Sequence, residues 1–235
     1  MKKSVLWSVL TCAALSLSAE IPAPVADLAL NGGDFDTIKD LSEKCKVAVY
    51  TREKLGWGEG PDGPALQFNG DRAAPRGALA VTPPADFSFA KGFSLRINFK
   101  TPDDYQRNFR YQLFHVGTGA DTITGISLFV YWRAVYCRFG NASRKDMVTP
   151  PSALAVKPGT WYDCVLTYDG QNLVIYVNGK AMTEPTPFQF PALKGNAFFI
   201  GTTAVSGAGY GCKGLISQVR LYDRALTADE VSGLE

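Results

Sequence analysis

Apolar and polar residues alternate with a period of two through most of this chain, the signature of strands with one buried face. The stretch GTWYDCVLTYDGQNLVIYVNGK, residues 159–180, shows it best. Tyr162, Cys164, Leu166 and Tyr168 fall on one side, and Asp163, Val165 and Thr167 on the other. Asp169-Gly170 interrupts the run, Leu173 to Val177 rebuilds it, and Asn178-Gly179 reverses the chain. Both residues of Asn-Gly tolerate positive φ, which makes the pair a strong hairpin signal. Similar runs occur at 25–32, in KVAVY, at 65–70, 77–81 and 92–101, in YQLFHVG, ISLFVYW and VYCRFG, and at 197–202 and 214–223. Arg133-Ala134 reads as the turn between ISLFVYW and VYCRFG. A polar loop with Asp34 and Asp36 precedes a helical or irregular stretch at 38–46, and GWGEGPDGP reads as a loop. Near the C-terminus Thr227 and Glu230 have the spacing of a capping box. More than ten short strands and one short helix predict an all-β, two-sheet antiparallel sandwich spanning 20–235 as one domain.

The first 19 residues break the pattern. Lys2-Lys3 precedes an apolar run from Val5 to Leu17, and Leu17-Ser18-Ala19 is suited to cleavage before Glu20. This is the layout of an export signal, 1–19, and implies a secreted chain, extracellular or periplasmic. No later run is apolar enough to span a bilayer, so the mature chain is expected to have no membrane span. A net charge of +2 with scattered Lys and Arg argues against nucleic acid as a partner. Hydrophobic residues at 46% are enough for a large core. Removing Cys12 with the leader leaves Cys45, Cys137, Cys164 and Cys212, an even number that favours disulfides in an exported chain, with three possible connectivities.

The run Trp161, Thr167 to Gly170, Val177 to Lys180 and Val219 to Leu226, with weaker matches at 64–70 and 93–95, resembles the laminin-G-like jellyroll family within the concanavalin A-like lectin/glucanase superfamily. The resemblance implies a sandwich and a recognition role. It also implies that the 25–32 strand lies beside the 215–222 strand. On that basis Cys45 is expected to pair with Cys212 and Cys137 with Cys164, the latter two being mid-strand on runs separated by one connection. The chain departs from the pattern at Ser217-Gln218, where relatives carry Asp-Glu, and at Phe99, where they carry Trp.

Catalysis has little support in the strands. Glycoside hydrolysis needs two carboxylates projecting into one groove, yet Asp163 stands alone in its strand and Glu59, Asp62, Asp103 and Asp104 fall in loops. His115 lacks a nucleophile motif and reads as structural. Trp161 reads as core. Trp57, Trp132, Tyr105, Tyr111 and Tyr210 are the aromatics expected to be open to stacking on a sugar, with Arg133 beside Trp132 to grip hydroxyls. No cofactor is expected. Asp34 and Asp36 are the residues that could contribute to a calcium site.

The sequence thus predicts a non-catalytic carbohydrate-binding or adhesive module whose partner is a glycan or an extracellular or cell-surface protein. A structural protein–protein interaction domain is the alternative, and a divergent glycoside hydrolase a more distant one. N-terminal sequencing of the exported chain is expected to begin at Glu20; recovery of the full chain with Met1 from the cytoplasm would overturn the export signal.

Overall fold

A computed structural model describes residues 20–70, 75–118, 124–141, 145–148, 155–193, 195–204 and 209–234. The leader, 1–19, lies outside the described residues. The strands in chain order are β1 Ala26–Ala29, β2 Lys46–Tyr50, β3 Leu55–Gly60, β4 Gly63–Asn69, β5 Ala78–Thr82, β6 Phe93–Lys100, β7 Tyr111–Thr118 and β8 Thr124–Tyr131. They continue with β9 Ala134–Asn141, β10 Lys145–Val148, β11 Trp161–Tyr168, β12 Asn172–Val177, β13 Lys180–Ala181, β14 Thr186–Pro187, β15 Phe198–Ile200 and β16 Lys213–Tyr222. A single turn and a half of helix, α1 Ala228–Ser232, follows.

The strands form two antiparallel sheets. The first runs β13-β12-β11-β6-β16-β4-β3, with β1 also on β16 and β14 on β12; the second runs β10-β9-β8-β7-β15-β5-β2. The period-two pattern accounts for the packing between them. Tyr162, Cys164, Leu166 and Tyr168 of β11 all enter the core, as do Leu95, Ile97 and Phe99 of β6. From the second sheet come Phe114, Val116, Ile126, Leu128, Val130, Val135, Cys137 and Phe139. Phe89, in the turn between β5 and β6, meets Phe93 of the first sheet at 5.1 Å and Phe114 and Phe198 of the second at 6.2 and 6.1 Å. Trp161 falls on the opposite parity of β11 and is half-buried outside the core.

Strand β16, near the end of the chain, lies inside the first sheet. One edge pairs with β6 and the other with β4 and β1. Its C-terminal end is tied down by α1, where Thr227 and Glu230 form the expected capping box. The Ser94 hydroxyl donates to the Arg224 carbonyl at 2.9 Å and accepts from the Leu226 amide at 2.7 Å.

Besides the expectation that Trp161 lies in the core, two others fail here for identifiable reasons. Trp57 and its glycine neighbours form β3 rather than a loop, paired with β4 from Leu55↔Phe68 to Gly60↔Gly63. The glycines serve close approach: a Cβ on Gly58 would lie 2.7 Å from a Leu215 methyl. The second is the pairing of Cys45 with Cys212; Cys45, Cys137, Cys164 and Cys212 are all free thiols, although Cys164 lies near enough to Cys137 to be affected by it. β1 does pair with β16, but the chain after it doubles back. Asp40 accepts from the amides of Asp27, Ser42, Lys44 and Cys45, and Cys45 Sγ comes to 3.3 Å from the Val25 carbonyl. Val25 in turn bonds Leu221 at the far end of β16, whereas Cys212 precedes its start and bonds Gly201 and Gly70. Nine residues of strand span roughly 30 Å, several times the separation a disulfide bridges. Cys137 and Cys164 are both fully buried in the core, and burial pushes both thiols up.

Gly58→Val is expected to cost about 1–3 kcal/mol, the usual penalty for overpacking, and to lower the urea midpoint without changing strand content. A variant as stable as the parent would show that β3 lies less tightly on Leu215.

Candidate functional site

The outer faces of the two sheets differ in what their side chains are doing. On the first sheet the polar groups are paired. Arg96 Nε donates to both Asp163 oxygens at 2.9 and 3.1 Å, Arg220 Nε donates to Asp27 at 3.1 Å, and Asp163 NH bonds the Asn178 side chain. Also on that face, Leu226, just before α1, and Val231 of α1 pack with Val165, Tyr176 and Tyr222 in a small second core.

The second sheet is different. Because Ile126, Leu128 and Val130 point inward, Ser127, Phe129 and Tyr131 point outward from β8. Register places Phe129 beside Tyr136 and Gln112, and Ser127 beside Arg138 and His115. The rings form a continuous series. Trp132 meets Tyr131 edge-on at 6.0 Å, Tyr131 lies 6.3 Å from Tyr136, and Tyr136 stacks on Phe129 at 5.6 Å. The Arg110 guanidinium then lies between Phe129, 3.7 Å from its centroid, and Tyr210 at 4.4 Å. Arg110 also donates to Ser127 Oγ at 2.8 Å, and Gln112 Nε2 donates to the same oxygen at 2.9 Å.

The series is exposed at one end and buried at the other. Trp132 is 56% exposed, the most open of the three large hydrophobic side chains that are exposed among the described residues. Tyr131, Tyr136 and Arg138 are half-buried, while Phe129, Gln112, Ser127 and His115 are buried. The Gly117, Gly125 and Gly140 backbones pair side by side next to this end, adding no side chain.

Trp132 and Arg133 are the two central residues of the β8–β9 hairpin turn, since Tyr131 pairs with Ala134. The turn therefore sits one residue earlier than Arg133-Ala134. Both residues have positive φ, 45° and 63°. The Asn178-Gly179 hairpin adopts the same geometry, 47° and 68°, with the residues that favour it. Trp and Arg do not favour it, and the turn is held from outside. Trp132 NH donates to the Arg107 carbonyl at 3.1 Å, Arg133 NH to Tyr105 Oη at 2.8 Å, and Val156 NH to the Arg133 carbonyl at 2.8 Å. Tyr105 itself stacks on Tyr111 at 4.8 Å. Its role is to brace the turn from below.

Of the residues singled out in the sequence, Trp132, Arg133, Tyr105 and Tyr210 thus belong to one region. Trp57 does not; it packs on Phe35 at 5.6 Å at the edge of the first sheet, and Tyr111, expected to be open, is buried in the core beneath Tyr105. Asp34 and Asp36 are occupied, Asp34 by the Asp36 amide and Asp36 by Arg52 at 2.9 Å. Among the described residues no group of three or more His, Cys, Asp or Glu is placed to hold a metal. Tyr131, Tyr136, Phe129, Arg110 and Arg138 were not singled out by the sequence reading. The usable signal was the alternation Phe129, Tyr131 opposite Leu128, Val130, once the two-residue turn fixes the register.

His115 is fully buried on this face, and neither ring nitrogen has a hydrogen-bond partner of normal geometry. Burial, followed by the Arg110 charge, pushes it down to about 4, with the Gly117 backbone opposing weakly. The imidazole is therefore neutral at physiological pH.

The chain belongs to the concanavalin A-like lectin/glucanases superfamily, matching its Laminin G 3 family over residues 76–232. Among solved structures, the binding domain of Paraclostridial Mosquitocidal Protein 1 is similar at TM-score 0.67 and 16% identity, over 90% of this chain and 51% of that one. The Botulinum Neurotoxin Type G receptor binding domain is similar at TM-score 0.64 and 12% identity, over 91% and 51%. Domain 4 of AbnA, a GH43 extracellular arabinanase from Geobacillus stearothermophilus, solved in complex with arabinotriose, is similar at TM-score 0.64 and 16% identity, over 90% and 97%. The chain spans about half the length of the toxin domains. At these identities the likeness is one of fold. No curated protein matches the chain in sequence.

Because His115 is neutral in the fold and ionisable when unfolded, the unfolded state binds more protons between about pH 6.5 and 4. The His115 contribution should be fully present above that window and be lost, on the order of 3 kcal/mol, across it, while carboxylates held low, such as Glu230, go on to lower stability at more acid pH. Denaturant titrations at a series of pH values would show the slope reduced in His115→Phe relative to the parent. Equal slopes would mean that His115 is already paired in solution.

Proposed function

We propose that this chain is an exported, non-catalytic carbohydrate-binding module. In this reading the Trp132 ring stacks on a sugar face while Arg133 and the Tyr131–Tyr136 pair flank it. One observation carries the reading: a large aromatic is held exposed in a turn whose backbone it does not favour. Non-glycine residues at positive φ cost on the order of 1 kcal/mol each and persist where surroundings over-determine them. Three hydrogen bonds to two separate segments clamp this turn, and such rigidity lowers the entropy lost when a ligand docks.

Several facts support a saccharide as the ligand. Indole and phenol rings present flat apolar surface to sugar C–H groups. Neighbours in fold are binding domains, one of them bound to arabinotriose. The strand carboxylates that a hydrolase would need are engaged, Asp163 by Arg96 and Asp27 by Arg220. Export rests on the 1–19 pattern.

Trp132→Ala should weaken glycan binding about five- to thirty-fold, with the thermal midpoint unchanged or raised. The double variant Trp132→Asn, Arg133→Gly should abolish binding and stabilise the fold by about 1 kcal/mol, because it installs the favoured turn pair. Calorimetric titration of any glycan-array hit, with melting as the folding control, reads both. Unchanged affinity in the two variants would overturn the platform, and capture of a specific protein through the same turn with no glycan bound would replace the reading.

A further inference from the structure

Two of the four cysteines are brought to one place in the core. Strands β9 and β11 belong to different sheets, yet both their ends are tied to common segments. At one end the Val156 amide donates to the Arg133 carbonyl, just before β9, at 2.8 Å. The adjoining Lys157 amide donates to Tyr162 Oη, near the start of β11, at 2.8 Å. At the other end Phe188 packs on Phe139 of β9 at 4.6 Å and on Tyr168 of β11 at 5.8 Å. The two strands therefore cross the core in the same direction and in step. Cys137 is the fourth residue of β9, and Cys164 is the fourth residue of β11. Both belong to the inward sets of their strands, Cys137 with Val135 and Phe139, Cys164 with Tyr162 and Leu166. Equal height and inward parity on facing strands bring the two thiols together.

The surroundings of the sulfur atoms agree with that placement. After burial and the Asp163 charge, the Cys137 thiol adds to the upward push on Cys164. Neither Cys45 nor Cys212 is affected by another cysteine. Facing sheets of a sandwich can be bridged between mid-strand positions, as the inter-sheet disulfide of antibody domains shows. The 1–19 leader pattern directs the chain to the surroundings in which disulfides persist.

We infer that Cys137 and Cys164 of the exported chain are joined by a disulfide between the two sheets, made by a disulfide-bearing oxidant such as a thiol–disulfide oxidoreductase. The inference rests on the export part of the reading above and adds a covalent modification to it. One cysteine thiolate attacks the oxidant's disulfide, giving a mixed disulfide and releasing one oxidant thiolate. The second cysteine thiolate then attacks the mixed disulfide at its partner's sulfur, forming the Cys137–Cys164 bond and releasing the other oxidant thiolate. The two protons given up by the cysteines end on the two oxidant thiols, so the cysteines lose two electrons and the oxidant gains them. The step belongs to the chain before its core closes, because burial in the folded protein pushes both thiols up and leaves them poor nucleophiles. Since β9 leaves the Trp132-Arg133 turn, the bridge also anchors one arm of that turn to the opposite sheet.

The test compares the chain refolded from the reduced, denatured state in a mixture of reduced and oxidised glutathione with the chain recovered from cells. Free thiols are alkylated in denaturant and the peptides mapped without reduction. Cys137 should be linked to Cys164, with Cys45 and Cys212 alkylated, and reducing the bridge should lower the thermal midpoint by about 10 °C. A Cys45→Ala, Cys212→Ala variant should show the same fall, whereas a Cys137→Ala, Cys164→Ala variant should melt alike with and without reductant. Free Cys137 and Cys164 in both samples, or either one linked to a different cysteine, would overturn the bridge. A midpoint unmoved when the bridged parent is reduced would overturn its role as a staple. A bridge formed on refolding but absent from the chain recovered from cells would uphold the pairing and overturn the export reading.

Discussion

The contact on which this sandwich depends is the cluster of rings around Phe89, between the two sheets. Phe89 belongs to neither sheet. It enters from a turn and touches Phe93 on one side and Phe114 and Phe198 on the other, with Phe190 stacked nearby. Burial of such rings is the largest apolar contribution available to a β-sandwich. Once the inner faces are committed to this core, the strict alternation of side chains leaves each outer face to a different use. The outer face of the first sheet is spent on ion pairs and the C-terminal helix. The outer face of the second carries the aromatic series, the arginines and the unpaired imidazole.

Burial of His115 without partners has to be set against the rest of that face. An unpaired buried polar group destabilises a fold. Here it lies in a row with Ser127 and Arg138 and next to bare glycine backbone. The strained Trp132-Arg133 turn is a second local cost on the same sheet. Local violations of folding preference that gather on one surface mark a surface where function competes with stability.

Much of the fold was legible in short stretches. The core parity of β11, the Asn178-Gly179 turn and the Thr227–Glu230 capping box are each decided by residues a few positions apart. What could not be read depends on residues far apart in the chain. β3 is a strand because Leu215 needs the space that Gly58 leaves. Cys45 is far from Cys212 because Asp40 folds the segment back onto Asp27 and Val25. The site was half legible: Trp132, Arg133 and Tyr105 stood out as aromatics and a cation near a turn, whereas Tyr136, Phe129 and Arg138 join them only through cross-strand register.

The place of β16 within the first sheet has a consequence for how the protein is made. Until Lys213–Tyr222 is available, β6 lacks a partner along one edge and β4 and β1 lack the strand that joins them to it. A chain growing from its N-terminus therefore cannot complete the first sheet until it has been made through Tyr222. Pairings between such distant segments also form slowly. The segment from Ala26 onward therefore commits to its compact shape only after Lys213–Tyr222 has joined it.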